Sequence, residues 1–175
     1  ADQAVLGLVW AMPETRTEPG LRAVAQVTAA LLQARLVETV REQLGITYSP
    51  RAGATMLLDL PGGSHLAAQI ETPPDKFDTF RELTQRQLRA LADQPVGADE
   101  LQRARQPIIE GRRKAPESNG FWLAWLSRIL DDPAMKAQML AEPAALEAVT
   151  PALVQAFVRG HLADRAPVEV AVRAK

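Results

Sequence analysis

One long helical repeat constrains this chain more than any other feature. Val24, Val27, Leu31, Leu32, Leu36, Val40 and Leu44 recur at the spacing of a single helix face for about six turns. Thr17-Glu18-Pro19 marks its start: a hydroxyl cap, an acidic residue, and a proline where no backbone N–H is needed. Gly45 follows and supplies the positive φ that closes a helix. A helix of this kind has to bury its apolar face, and strand-like segments lie on both sides of it. Val5-Leu6-Gly7-Leu8-Val9-Trp10 is a continuous apolar run of the kind found in buried strands. Strand signals resume over residues 48–60, where Pro50 and Gly53 predict an irregular start or an edge position.

The remaining elements follow from punctuation and period. Pro61-Gly62-Gly63-Ser64 is a turn leading into a second strand over 65–72, so the two form a hairpin. Pro73-Pro74-Asp75 opens a helix with Phe77, Phe80, Leu83, Leu88 and Leu91 inward, and Pro95-Val96-Gly97 breaks it. Asp99 and Glu100 begin a third helix, with Leu101, Ala104, Ile108 and Ile109 inward and a kink at Pro107. Ser118-Asn119-Gly120 precedes an apolar helix, Phe121-Trp122-Leu123-Ala124-Trp125-Leu126, which ends at Asp131-Asp132-Pro133. A short helical piece then runs to Leu140. Thr150-Pro151 starts a helix whose buried face is Leu153, Val154, Phe157 and Leu162, and Val168-Glu169-Val170-Ala171-Val172 alternates as a final strand.

The order strand, helix, strand, strand, helices, strand is a split β-α-β unit, a ferredoxin-like plan elaborated with extra helices. It predicts an α+β fold of two layers, with helices on one face of a largely antiparallel sheet. At 175 residues the chain reads as one domain, 1–175, able to bury roughly 70% of its unfolded surface.

Charge excludes several function classes. Lys+Arg 20 against Asp+Glu 21 leaves a net charge of -1, so no field of either sign recommends nucleic acid or an anionic membrane. Arg112-Arg113-Lys114, with Arg103 and Arg105 upstream, reads as a solvated helix face. With Cys 0, disulfides, thiol catalysis and thiolate metal sites are excluded. No apolar run approaches the ~20 residues that cross a bilayer. The abrupt opening on Ala1-Asp2-Gln3, straight into a strand, is expected of a piece of a larger protein.

The usual catalytic constellations are missing. His65 and His161 belong to no paired histidine motif, so no metal site is expected; His65 after a turn reads as a surface residue, and His161 as a partly buried residue near a helix C-terminus. Ser49, Ser64, Ser118 and Ser127 lack a nucleophile-elbow setting. Arg41 and Tyr48 remain. Both are explicable as structure, a cation in a last helical turn and an amphipathic aromatic at a sheet margin. Both are also strong donors on rigid planar groups, suited to a carbonyl or developing oxyanion.

The stretch Leu36-(x)4-Arg41-Glu42-Gln43-Leu44-Gly45-(x)2-Tyr48-Ser49 resembles the helix-to-strand signature of the pitrilysin/insulinase-type zinc peptidases, the inverzincins, in their C-terminal, non-metal-binding domain. Pro95-Val96-(x)3-Glu100-Leu101-(x)2-Ala104-Arg105, Asn119-(x)2-Trp122-Leu123 and Leu146-(x)2-Val149-Thr150-(x)3-Val154 extend the resemblance along the chain. It implies a parent in which two homologous halves close around an extended peptide. An N-terminal half would hold zinc through His-x-x-Glu-His and a distal glutamate, with a zinc-bound water attacking the peptide and the motif's glutamate as base. That motif is absent from this chain, which the resemblance makes proteolytically silent alone. Arg41 and Tyr48 would supply hydrogen bonds to substrate. The implied partners are the zinc-bearing domain and a peptide; the resemblance leaves the compartment open, the bacterial periplasm being compatible with it. The same fold also serves as non-catalytic subunits of heterodimeric peptidases and as respiratory core proteins, which would make Arg41 and Tyr48 fold residues.

Overall fold

A computed structural model describes residues 4–13, 18–44, 49–57, 60 and 62–173. The elements are β1 (Ala4–Ala11), α1 (Pro19–Leu44), β2 (Arg51–Thr55), β3 (His65–Thr72), α2 (Phe77–Asp93), α3 (Ala98–Lys114), α4 (Asn119–Asp131), α5 (Pro133–Glu147), α6 (Pro151–His161) and β4 (Val168–Arg173), with single 3₁₀ turns before α2 and after α3. The strands form one sheet in the order β2-β3-β1-β4, and every neighbouring pair is antiparallel. β1 and β2 therefore run parallel with β3 inserted between them, and β3 and β4 do the same around β1. This is the split β-α-β arrangement expected from element order.

Period-two alternation on β1 and β3 decides where the core lies. Leu6, Leu8 and Trp10 pair in register with Ile70, Ala68 and Leu66, and all six are buried on the helix side. Against them pack Val27, Leu31, Leu32, Leu36 and Val40 of α1, then Phe80, Leu83 and Leu88 of α2 and Val154, Phe157 and Val158 of α6. Each fully buried side chain of this size contributes roughly 1.5–3 kcal/mol. The indole Nε1 of Trp10 donates to the Arg165 carbonyl at 3.0 Å, which lets an amphipathic aromatic close the core edge. The opposite sheet face is bare: Val5, Val168, Val170 and Val172 are all exposed.

The β2–β3 turn needs glycine for two reasons. Gly62 adopts φ 73°, and a Cβ on Gly63 would meet Leu57 Cδ1 at 3.0 Å. Ser64, buried beside it, accepts from the Leu57 N–H through Oγ at 3.2 Å and from the Met12 N–H through its carbonyl at 3.0 Å.

Four expectations from sequence are corrected. Among the described residues, the strand expected over 48–60 is regular only at Arg51–Thr55, beginning after Pro50 and forming a sheet edge. The piece expected to stop at Leu140 runs to Glu147, because Pro143 stands inside α5 without ending it. Leu153, assigned to the buried face of α6, is 47% exposed; that face is made by Val154, Phe157 and Val158. The basic cluster is not simply solvated, since Arg105 donates to the carbonyls of Glu147 and Val149 at 2.7 and 3.0 Å, and Arg112 and Arg113 pair with Glu142 and Glu147. These arginines clamp α3 to the end of α5. α3 itself continues through Pro107 to Lys114.

Candidate functional site

Arg41 lies in the last turn of α1 and is exposed. Leu36 and Val40 are fully buried beside it, so packing fixes the helix end that carries it. The last four carbonyls of a helix have no partners within it, and a cation there is stabilised by about 0.3–1 kcal/mol. Gly45 and Tyr48 lie outside the described residues. Of the two candidate donors the structure therefore places Arg41 alone.

Where the chain returns, its position is set by α1. Gln33 accepts from the Ala52 N–H through Oε1 and donates Nε2 to the Pro50 carbonyl at 3.1 Å. This two-sided grip holds the first residues of β2 against α1, eight residues before Arg41 and ~12 Å along the axis. The C-terminal third of α1 is braced from the other side. Arg35 grips Glu100 of α3 through Nε and Nη2 at 2.7 and 3.0 Å. Thr39 Oγ1 donates to the Arg35 carbonyl at 2.6 Å and accepts from Gln87 Nε2 of α2 at 3.2 Å. The hydrogen bond from Arg35 holds the Glu100 carboxyl below the usual carboxylate range, outweighing the effect of burial. Sequence reasoning missed Gln33, Arg35 and Thr39. Their partners lie on other elements, and nothing local announces them.

The histidines take structural places. His65 is half-buried at the start of β3, with Nδ1 2.9 Å from the Gly63 carbonyl, so it is less exposed than its turn suggested. His161 ends α6 and packs on Phe157 with ring centroids 5.2 Å apart. Burial first, and Arg165 second, lower its pKa from 6.5. Ser64 and Ser118 spend their hydroxyls on backbone N–H groups. Among the described residues no group of three or more His, Asp or Glu side chains could hold a metal ion. No described helix is long and apolar enough to cross a membrane. The chemistry that Arg41 itself offers is donation of hydrogen bonds.

Comparison with known proteins fits this fold. The family model described as the peptidase M16 inactive domain matches residues 1–108. No curated protein sequence matches. Among solved structures, an inactive peptidase domain from Bordetella parapertussis is 15% identical with a TM-score of 0.78, covering 99% of this chain and 94% of that one. The periplasmic protease PqqL from Escherichia coli is 17% identical with a TM-score of 0.66, covering 99% of this chain and 19% of that one. A chain of complex III2 from Candida albicans is 14% identical with a TM-score of 0.69, covering 97% and 42%. At these identities the structures share a fold with this chain, which spans nearly all of the separate domain and less than half of the longer proteins. The match over residues 1–108 settles the family: the chain belongs to the peptidase M16 inactive domains, the non-metal-binding domain of the pitrilysin/insulinase type.

Proposed function

We propose that this chain, residues 1–175 as one domain, is the C-terminal half of a zinc-dependent peptidase of the pitrilysin/insulinase type. It completes the substrate chamber opposite an N-terminal half that carries the metal. The observation that carries the reading is Arg41, exposed at a helix end fixed by buried neighbours, within a chain of the inactive-domain family. In this reading Arg41 and Tyr48 donate hydrogen bonds to carbonyl oxygens of an extended peptide, and the residues of this chain hold no zinc. A donor that strengthens its hydrogen bond as charge develops on the carbonyl oxygen accelerates the reaction more than one that merely binds.

The test is Arg41→Ala and Tyr48→Phe in the intact protein, joined to its zinc-bearing half. Loss of one such donor is expected to lower kcat/KM for a peptide by about 10²-fold or more, with folding unchanged. Wild-type kcat/KM in both variants would remove the proposed roles.

A second reading, a non-catalytic assembly subunit, draws on the shared fold with the complex III2 chain. It requires that no zinc-bearing half precede this one in the same polypeptide, and the sequence of the parent protein separates the two readings. A His-x-x-Glu-His motif upstream favours the peptidase.

A further inference from the structure

A cavity of about 320 Å³ lies where α1, α3, α4 and α5 meet the end of β2. Most of these elements give it residues at their own period. Arg22 and Gln26 are one turn apart on α1, Trp125 and Arg128 one turn apart on α4, and Met56 follows Ala54 of β2 by two positions. Arg112 comes from the last turn of α3 and Glu142 from α5. Among the described residues that line the cavity, three are arginines and one is a carboxylate. Arg22 is only 3% and Glu142 7% exposed, so charge is held here on the buried side of the helix layer, whereas Arg128 is exposed.

Contacts within the protein answer part of this charge. Arg22 donates Nη1 to Gln138 Oε1, Gln26 donates Nε2 to Glu142 Oε1 at 3.3 Å, and Arg112 Nη2 pairs with the same oxygen at 3.0 Å. Arg22 and Arg128 hold other partners in the protein as well. Arg112 is the group with donors to spare, because a guanidinium carries five N–H donors and one carboxylate oxygen engages only part of that fork. Burial lowers the pKa of Arg22, the attraction of Glu142 opposes this, and the neighbouring Arg112 lowers it again. Glu142 thus serves two cations at once, and the field inside the cavity favours a second anion.

We propose that this cavity binds a small organic carboxylate, with the acidic group among Arg22, Arg112 and Arg128 and the apolar body against Trp125 and Met56. The planar guanidinium fork matches a carboxylate in geometry, and charge-assisted bonds of this kind are among the strongest a protein makes. Poor access of water on the side of Arg22 strengthens them further. The space would hold about ten waters at ~30 Å³ each, more than a bare ion needs and at the small end for organic ligands. Trp125, Met56 and Ala54 add nothing for an inorganic ion, but they cover an apolar stem. A free acid in solution and an acidic side chain of an accompanying half offer this same chemistry. The second source rests on the reading of this chain as one half of a peptidase, and the first does not.

The test takes the full 175-residue chain, with sodium hexanoate as the probe and hexanamide, its neutral isostere, as the control. Calorimetric titration should show saturable binding of hexanoate, at least about tenfold tighter than that of hexanamide or of inorganic phosphate. Arg112→Gln and, separately, Arg128→Gln should each weaken it by about tenfold or more, with circular dichroism unchanged. Arg103→Gln, exposed elsewhere on α3, should change it by less than about twofold. Trp125→Phe should remove the change in tryptophan emission that hexanoate causes, since Trp10 and Trp122 do not line the cavity. Four results would overturn the proposal: no saturation by hexanoate, equal binding of hexanamide, equal binding of phosphate, or wild-type affinity in both Arg112→Gln and Arg128→Gln. The intact protein separates the two sources. Hexanoate binding kept there assigns the cavity to a free acid, and binding lost there but kept by the 175-residue chain assigns it to an acidic side chain of the other half.

Discussion

His161 couples packing to pH through one ring. It closes α6 against Phe157 and lines the same groove as Glu18 at the entry to α1. Burial makes the imidazolium costly in the folded state, so its pKa is lowered from 6.5 while the unfolded chain keeps the ordinary value. The unfolded state then takes up the proton more readily, and stability falls as pH drops through about 6.5 toward the folded value. Thermal unfolding at several pH values should show this decline between about pH 7 and 5. His161→Gln should flatten it, and an equal slope in the variant would assign the effect to another group. Arg41 was legible from sequence at this scale, because a helix end can be read from period and glycine punctuation alone. Gln33, Arg35 and Thr39 were not, because their roles depend on partners 17 to 65 residues away.

At the scale of elements, β2 depends on a side chain from another element. It is a five-residue edge strand, and its start is held by Gln33 as well as by the ladder to β3. Gln33→Ala leaves the Ala52 N–H and the Pro50 carbonyl without that grip, a loss of about 1–3 kcal/mol. Urea denaturation should report the change, and the Ala52 amide should exchange faster than amides of β1 if the strand opens locally. The period of each helix was readable, but its partners were not. Leu153 sits at a helical position consistent with burial and is exposed, because α6 presents Val154 and Phe157 to the core instead. α4 carries the strongest apolar signal of any helix here and packs least. Its sequence announces that something covers it without saying that this domain does not.

For the whole molecule, stability rests on one layer of helices over one face of the sheet. Phe80 is fully buried within the core cluster that joins α2 to the strands. Phe80→Ala is expected to cost about 3–5 kcal/mol by chemical denaturation, the range for removing a buried aromatic. A loss below about 1 kcal/mol would mean that the layers repack around the gap, contrary to this arrangement.

Element order and most of the residues that face inward, though not Leu153, were set by the sequence by itself, because helical and strand periods are local properties of the chain. A direct antiparallel connection from β2 to β3, with helical crossovers from β1 to β2 and from β3 to β4, leaves few alternatives to β2-β3-β1-β4. Only the tertiary structure decided that arginines of α3 pair with groups at the end of α5 and that α4 stays outside the core. Those outcomes depend on which surfaces meet across long stretches of chain. Hydrophobic burial is non-directional, so periodicity names a face to be covered and leaves its partner to the fold.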